Sequence, residues 1–117
     1  MEVTTSSLSG APLLEVSGEI DHATCDLLSH SMSAALAEDD PIVLVDASQI
    51  TYLDSSGISL LFATVRRLRN KGWVGIIGAN ANVRRLMEIV GLTVDNGLRL
   101  FPDRPTAAQA VKDTSSE

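Results

Sequence analysis

Aromatic residues are nearly absent from this 117-residue chain: one Trp, one Tyr and two Phe make up 3% of it. A core must therefore be assembled from Val, Ile, Leu and Ala. There is no supply of flat side chains on which nucleic-acid bases could stack. Positive charge is also short, with nine Lys and Arg against fifteen Asp and Glu and a net charge of −6. A phosphate-backbone binder carries a basic footprint, so nucleic acid is excluded as a partner. A single cysteine, Cys25, excludes an internal disulfide and fits a reducing compartment. It falls among residues with helical apolar spacing and reads as a small core residue rather than a redox centre.

Other absences narrow the function further. No apolar run approaches 18 residues, and the N-terminus has neither the basic start nor the apolar core of a signal peptide. The protein is expected in the cytoplasm, with no direct membrane contact. No Gly-x-Gly-x-x-Gly follows a strand and no P-loop lysine motif occurs, so no nucleotide cofactor is expected. The two histidines, His22 and His30, lack a third ligand at metal spacing, so no metal is expected either. A Ser-His-Asp triad could be drawn from Ser55, His22 and Asp54, but no acyl-transfer elbow surrounds the serine. The sequence predicts no catalytic residues and no enzyme.

What is present is an orderly alternation of strands and helices. A short edge strand near Val3 leads through a turn at Gly10-Ala11-Pro12 to an alternating strand, Leu13 to Ser17, which Gly18 closes. Apolar spacing then turns helical from Ala23 to Leu36, with Asp21 or His22 as the start and Pro41 beyond the end. Ile42 to Val45 is an unbroken apolar run, the mark of a strand buried on both faces, and it ends at Asp46. An amphipathic helix from Ile58 to Arg69 follows, with Gly72 as its stop. Trp73 to Ile77 is a second interior strand. A third helix is capped by Asn80 or Asn82 and ends before Gly91; a strand at Leu98 to Phe101 and a last helix from Thr106 to about Lys112 complete the order. Arg66, Arg67, Arg69 and Lys71, and likewise Arg84 and Arg85, read as solvated helix faces.

This pattern predicts an α/β fold: a single-domain mixed sheet of about five strands, mostly parallel with an N-terminal antiparallel hairpin, flanked by about four helices. One domain spans residues 1–113, followed by a frayed tail at 114–117. In such a sheet the loops after the strands gather on one edge, where ligands and partners dock. Two of these loops are acidic, Glu19-Ile20-Asp21-His22 and Asp54-Ser55-Ser56-Gly57. The second opens a helix, where unpaired N–H groups and the dipole accommodate an added phosphate. Asp and Ser are also good N-caps, each worth about 1 kcal/mol over Ala. The two roles are compatible, because a cap can be modified. If the helices are neighbours, Asp21, Asp54 and Ser55 converge.

Three segments in this order carry a resemblance: Gly18-Glu19-Ile20-Asp21, then Asp54-Ser55-Ser56-Gly57, then Val83-Arg84-Arg85-Leu86 through Gly91-Leu92. Together they resemble the STAS domain of bacterial anti-sigma factor antagonists over nearly the whole chain. The resemblance implies that Ser55 is phosphorylated by an anti-sigma factor that is itself a serine kinase. It also implies that Asp21, His22, Asp54, Ser56 and Gly57 belong to the partner-binding edge. The unphosphorylated form would hold the anti-sigma factor and free a sigma factor, and a serine phosphatase would reset the switch. The alternative is a STAS subunit of a transporter or stress-signalling assembly with a permanent partner. A small hydrolase acting through Ser55 is a third reading.

Overall fold

The structure is a computed structural model, and it describes residues 1–36, 41–68, 71–93 and 97–115. The order is β1 (Glu2–Leu8), β2 (Ala11–Ile20), α1 (Cys25–Leu36), β3 (Ile42–Leu53), α2 (Ser55–Arg67), β4 (Trp73–Ile77), α3 (Ala81–Ile89), β5 (Leu98–Phe101) and α4 (Arg104–Ser115). The five strands form one sheet in sequence order. β1 and β2 are antiparallel; β2, β3, β4 and β5 are parallel to one another. This is the mixed α/β sheet that the alternation predicts.

Each interior strand is buried on both faces, and the strand period of two divides its side chains between them. Val43, Val45, Val74 and Ile76 pack in the larger core with Leu28 and Met32 of α1, Ile58 and Leu61 of α2, and Val83 and Met87 of α3. Ile42, Leu44, Trp73 and Ile77 face the other way, against Ala107 and Val111 of α4. Three helices thus cover one face, and α4 lies on the other.

Several boundaries differ from the sequence reading, each for a local reason. The hairpin turn is Ser9-Gly10, not Gly10 to Pro12: both residues have positive φ (53° and 87°), as a two-residue type I′ connection requires, and Leu8 pairs with Ala11. Gly18 does not close β2. With φ of +93° it sits beside a register shift and carries the strand on to Ile20. β3 likewise does not end at Asp46. The parallel neighbour β4 stops there, Asp46 pairing with Ile77, but residues 49–53 continue to pair with residues 17–20 of β2. A two-stranded extension therefore rises beyond the edge of the main sheet.

The helices differ at their ends. α1 has its first regular turn at Cys25 rather than Ala23, and Cys25 is half-buried instead of in the core. α2 runs Ser55–Arg67 with Leu68 as C-cap; Arg69 lies outside the described residues. Gly72 is needed for a different reason than helix termination: a Cβ there would overlap Pro41, whose carbonyl accepts the Trp73 N–H at 3.0 Å. α4 is longer at both ends than its apolar residues suggest. Asp103 caps it, accepting the Thr106 N–H at 2.9 Å, and Thr114 and Ser115, expected in the tail, are helical. The rest of that tail, residues 116–117, lies outside the described residues.

Candidate partner-binding edge

The β2–β3 extension delivers two helix starts to one place. Its outer end is closed by the Asp54 N–H donating to the Ile20 carbonyl oxygen at 3.1 Å. Asp21 and Asp54, the next residues on each strand, each turn the chain into a helix. At Asp54 the carboxylate Oδ1 accepts the Ser56 N–H at 2.9 Å and the Gly57 N–H at 3.4 Å. That is N-cap geometry, satisfying two of the donors a helix start leaves open.

Asp21 does the same for α1 with a reciprocal exchange. Its Oδ1 accepts the Thr24 N–H at 3.0 Å, and its own N–H donates to Thr24 Oγ1 at 3.0 Å. The Cys25 N–H reaches the Asp21 carbonyl at 2.9 Å. Hydrogen bonds from the Thr24 hydroxyl and then its N–H hold the Asp21 carboxyl below its ordinary pKa. Asp21 is therefore both a cap and a firmly ionised group.

The two starts touch. The Cys25 Sγ donates weakly to the Ser56 carbonyl at 3.5 Å. Burial, then the charges of Asp26 and Asp54, raise the Cys25 thiol pKa, which leaves it a poor nucleophile. Gly57 is where the helix passes closest to the strands beneath. A Cβ at that position would overlap Leu53 Cδ1 and come within 2.8 Å of Ile20 Cγ2. Only glycine lets α2 start so near the extension.

Ser55, the first residue of α2, is exposed, and its side chain makes no hydrogen bond to the other described residues. Ser56 is half-buried. His22 is exposed and likewise joined to nothing among them, so it shares the edge without being part of its geometry. No group of three or more His, Cys, Asp or Glu suited to a metal ion occurs among the described residues, and none of their helices is long and apolar enough to cross a membrane.

A polar cluster that sequence reading did not find lies on the α4 side of the sheet. Asp46, 9% exposed, receives Arg104 Nε at 2.9 Å and Nη2 at 2.7 Å on Oδ2. Its Oδ1 takes the Ser48 hydroxyl at 2.7 Å and the Ser48 N–H at 3.0 Å. Arg104 Nη2 also reaches Glu15 at 3.1 Å. Burial pushes the Asp46 pKa up, but the bonds from Ser48 and Arg104 outweigh it and the net shift is downward. The partners are 58 residues apart, so no local motif could reveal them. The one available sign was an aspartate directly after the apolar run Ile42 to Val45.

A family profile described as "Mlab, STAS domain" matches residues 3–100. The chain belongs to the STAS domain family. It is 27% identical over 110 residues to the anti-sigma-F factor antagonist RsfB of Mycobacterium tuberculosis, covering 94% of this chain and 88% of that one. An anti-sigma factor antagonist from Mycobacterium paratuberculosis has a similar structure, with a TM-score of 0.84 and 29% identity over 95% of this chain and 93% of that one. The antagonist SpoIIAA shares the fold in two solved forms. Its unphosphorylated form has TM-score 0.73 and 14% identity, covering 99% of this chain and all of that one. The phosphorylated form, from Bacillus, has TM-score 0.72 and 17% identity, covering 94% and 99%. This STAS domain thus shares its fold with proteins described as antagonists.

Proposed function

We propose that this STAS domain is an anti-sigma factor antagonist, a regulatory binding protein and not an enzyme, whose acidic edge is switched by phosphorylation of Ser55. The observation that carries the reading is the state of Ser55: an exposed hydroxyl, without a hydrogen bond to the other described residues, in the first turn of α2. Its neighbour Asp54 caps the helix, so the hydroxyl is not needed to hold the fold. The unphosphorylated protein binds an anti-sigma factor that is also a serine kinase, and so releases a sigma factor. The kinase holds ATP; the Ser55 oxygen attacks the γ-phosphorus, the bond to ADP breaks, and the hydroxyl proton passes to a base of the kinase. A serine phosphatase hydrolyses the ester and restores the binding form.

Phosphate adds about 1.5–2 negative charges and considerable bulk at neutral pH. At the start of α2 the dipole and remaining N–H groups tolerate it, whereas a partner packed against the Ser55 hydroxyl has no room for it. The names of the relatives favour this reading over a permanent transporter subunit. The test is incubation with purified anti-sigma serine kinases of the same organism and ATP, followed by intact mass and peptide mapping. One phosphate on Ser55, absent in Ser55→Ala, is the expected result; undiminished phosphorylation of Ser55→Ala would sink the proposal.

A further inference from the structure

β4 and β5 are parallel neighbours, but the chain leaves them in opposite directions. α3 follows β4 onto the face that carries α1 and α2, and α4 follows β5 onto the other face. The two connections part at the C-terminal ends of these strands. In parallel α/β sheets that parting is where small ligands bind.

A cavity of about 420 Å³ lies there, a volume within the range of ligand sites. Ile76, Leu100, Phe101 and Pro102 give it apolar surface. The turn Gly78-Ala79 and Arg84, in the first turn of α3, complete it. Its walls are tied in place. The Gly78 N–H donates to the Phe101 carbonyl at 2.9 Å, joining the two strand ends. Asn80, which starts α3, donates from Nδ2 to the Ile50 carbonyl at 3.1 Å and accepts the Val83 N–H on Oδ1 at 2.9 Å.

Among the described residues, Arg84 is the one charged side chain lining the cavity, and it makes no hydrogen bond or ion pair with any other. Glu88, one turn further along α3, does not reach it. Asp103, next to Pro102, turns its carboxylate to the N–H and hydroxyl of Thr106 at 2.9 and 2.6 Å. Arg104 and Arg99 differ from Arg84 in this respect: the first is held by Asp46 and Glu15, and the second lies over the Trp73 ring.

We propose that this crevice binds a small organic carboxylate with an aryl or similarly apolar body. The body lies against Leu100, Phe101 and Pro102. The carboxylate takes the N–H donors of Arg84, whose planar fork matches two oxygens. One cation balances one negative charge, which favours a monoanion over a phosphate dianion. No residue of the Ser55 edge lines the crevice, so the proposal does not depend on the antagonist reading.

The experiment follows amide chemical shifts of the isotope-labelled protein during titration with phenylacetate, phenethylamine or acetate into the millimolar range. Phenylacetate should shift residues 78–84 and 100–101 saturably. Phenethylamine carries the wrong charge and acetate lacks the apolar body, so neither should saturate. Arg84→Gln should weaken phenylacetate binding by about fivefold or more, and Arg85→Gln, which removes an exposed cation outside the cavity, should stay within about twofold. Both arginines are exposed, so melting temperatures should agree within about 2 °C. Absence of saturable phenylacetate shifts in wild type would overturn the proposal, as would shifts centred on other residues. Equal binding of phenethylamine, or unchanged affinity in Arg84→Gln, would overturn it too. No anti-sigma factor is needed, so the antagonist reading stands or falls separately.

Discussion

The backbone N–H of Asp54 donates to the carbonyl oxygen of Ile20 across 3.1 Å, and this one bond sets two helix caps side by side. Parallel strands of equal reach are what make the arrangement possible. Had β3 ended with β4 at Asp46, the second cap would stand several residues short of the first.

The capping and binding roles of Asp54 can be separated. Asp54→Ala removes the acceptor of the Ser56 and Gly57 N–H groups and should cost about 1 kcal/mol in denaturant unfolding. Asp54→Asn keeps a good cap and should cost only a few tenths of that. If both variants bind the anti-sigma factor as wild type does, the carboxylate serves the helix alone.

For Asp21 the expectation is reversed in emphasis. Asp21→Asn preserves an acceptor for the Thr24 N–H, so stability should change by less than about 1 kcal/mol. Affinity for the anti-sigma factor should fall, and fall most at low ionic strength, where charges are least screened. A fall in melting temperature with unchanged affinity would assign Asp21 to capping only.

Gly57→Ala introduces the methyl group that Leu53 and Ile20 leave no space for. Overpacking of this kind costs about 1–3 kcal/mol. Thermal unfolding should show it even though alanine favours helix, and amide exchange should locate the loosening at the start of α2.

The Asp46–Arg104 pair predicts an acid-side response. The folded Asp46 pKa lies below its ordinary value, so its contribution is complete above about pH 4 and is lost as pH falls through the folded value. Asp46→Asn should therefore flatten the decline in stability below about pH 4 relative to wild type. Arg104→Ala should cost about 1–2 kcal/mol at neutral pH, kept modest because the guanidinium is half open to water. Equal acid slopes for Asp46→Asn and wild type would show that other carboxylates control the acid limb.

Phosphorylation should leave the fold intact. The free N–H groups and dipole at the start of α2 accommodate the added charge locally. The phosphorylated protein should melt within a few degrees of the unmodified one and bind the anti-sigma factor about 100-fold or more weakly. Loss of the native unfolding transition on phosphorylation would move the switch into the fold.

Element order was legible because Ile42–Val45 and Trp73–Ile77 are apolar enough to be strands buried on both sides, and because Asn80 and Asp54 are recognisable caps. The extension was not. Ser48, Gln49 and Thr51 interrupt the apolar pattern after Asp46, and Gly18 reads as a stop until its positive φ is seen to serve a register shift. Solvent reaches that part of the sheet, so it lacks the hydrophobic signature by which interior strands are read. The capping roles of Asp21 and Asp54 were legible because a cap is a local signal.

The only tryptophan lies under α4, its Nε1 3.3 Å from Thr114 Oγ1 and its ring beneath Arg99 at 4.5 Å. It is on the far side of the sheet from the three helices that include α1 and α2. Its emission is thus an optical channel for one half of the molecule. Phosphorylation at Ser55 that leaves the α4 layer in place should leave this emission unchanged, and a shift in the isolated phosphorylated protein would report a rearrangement of that layer.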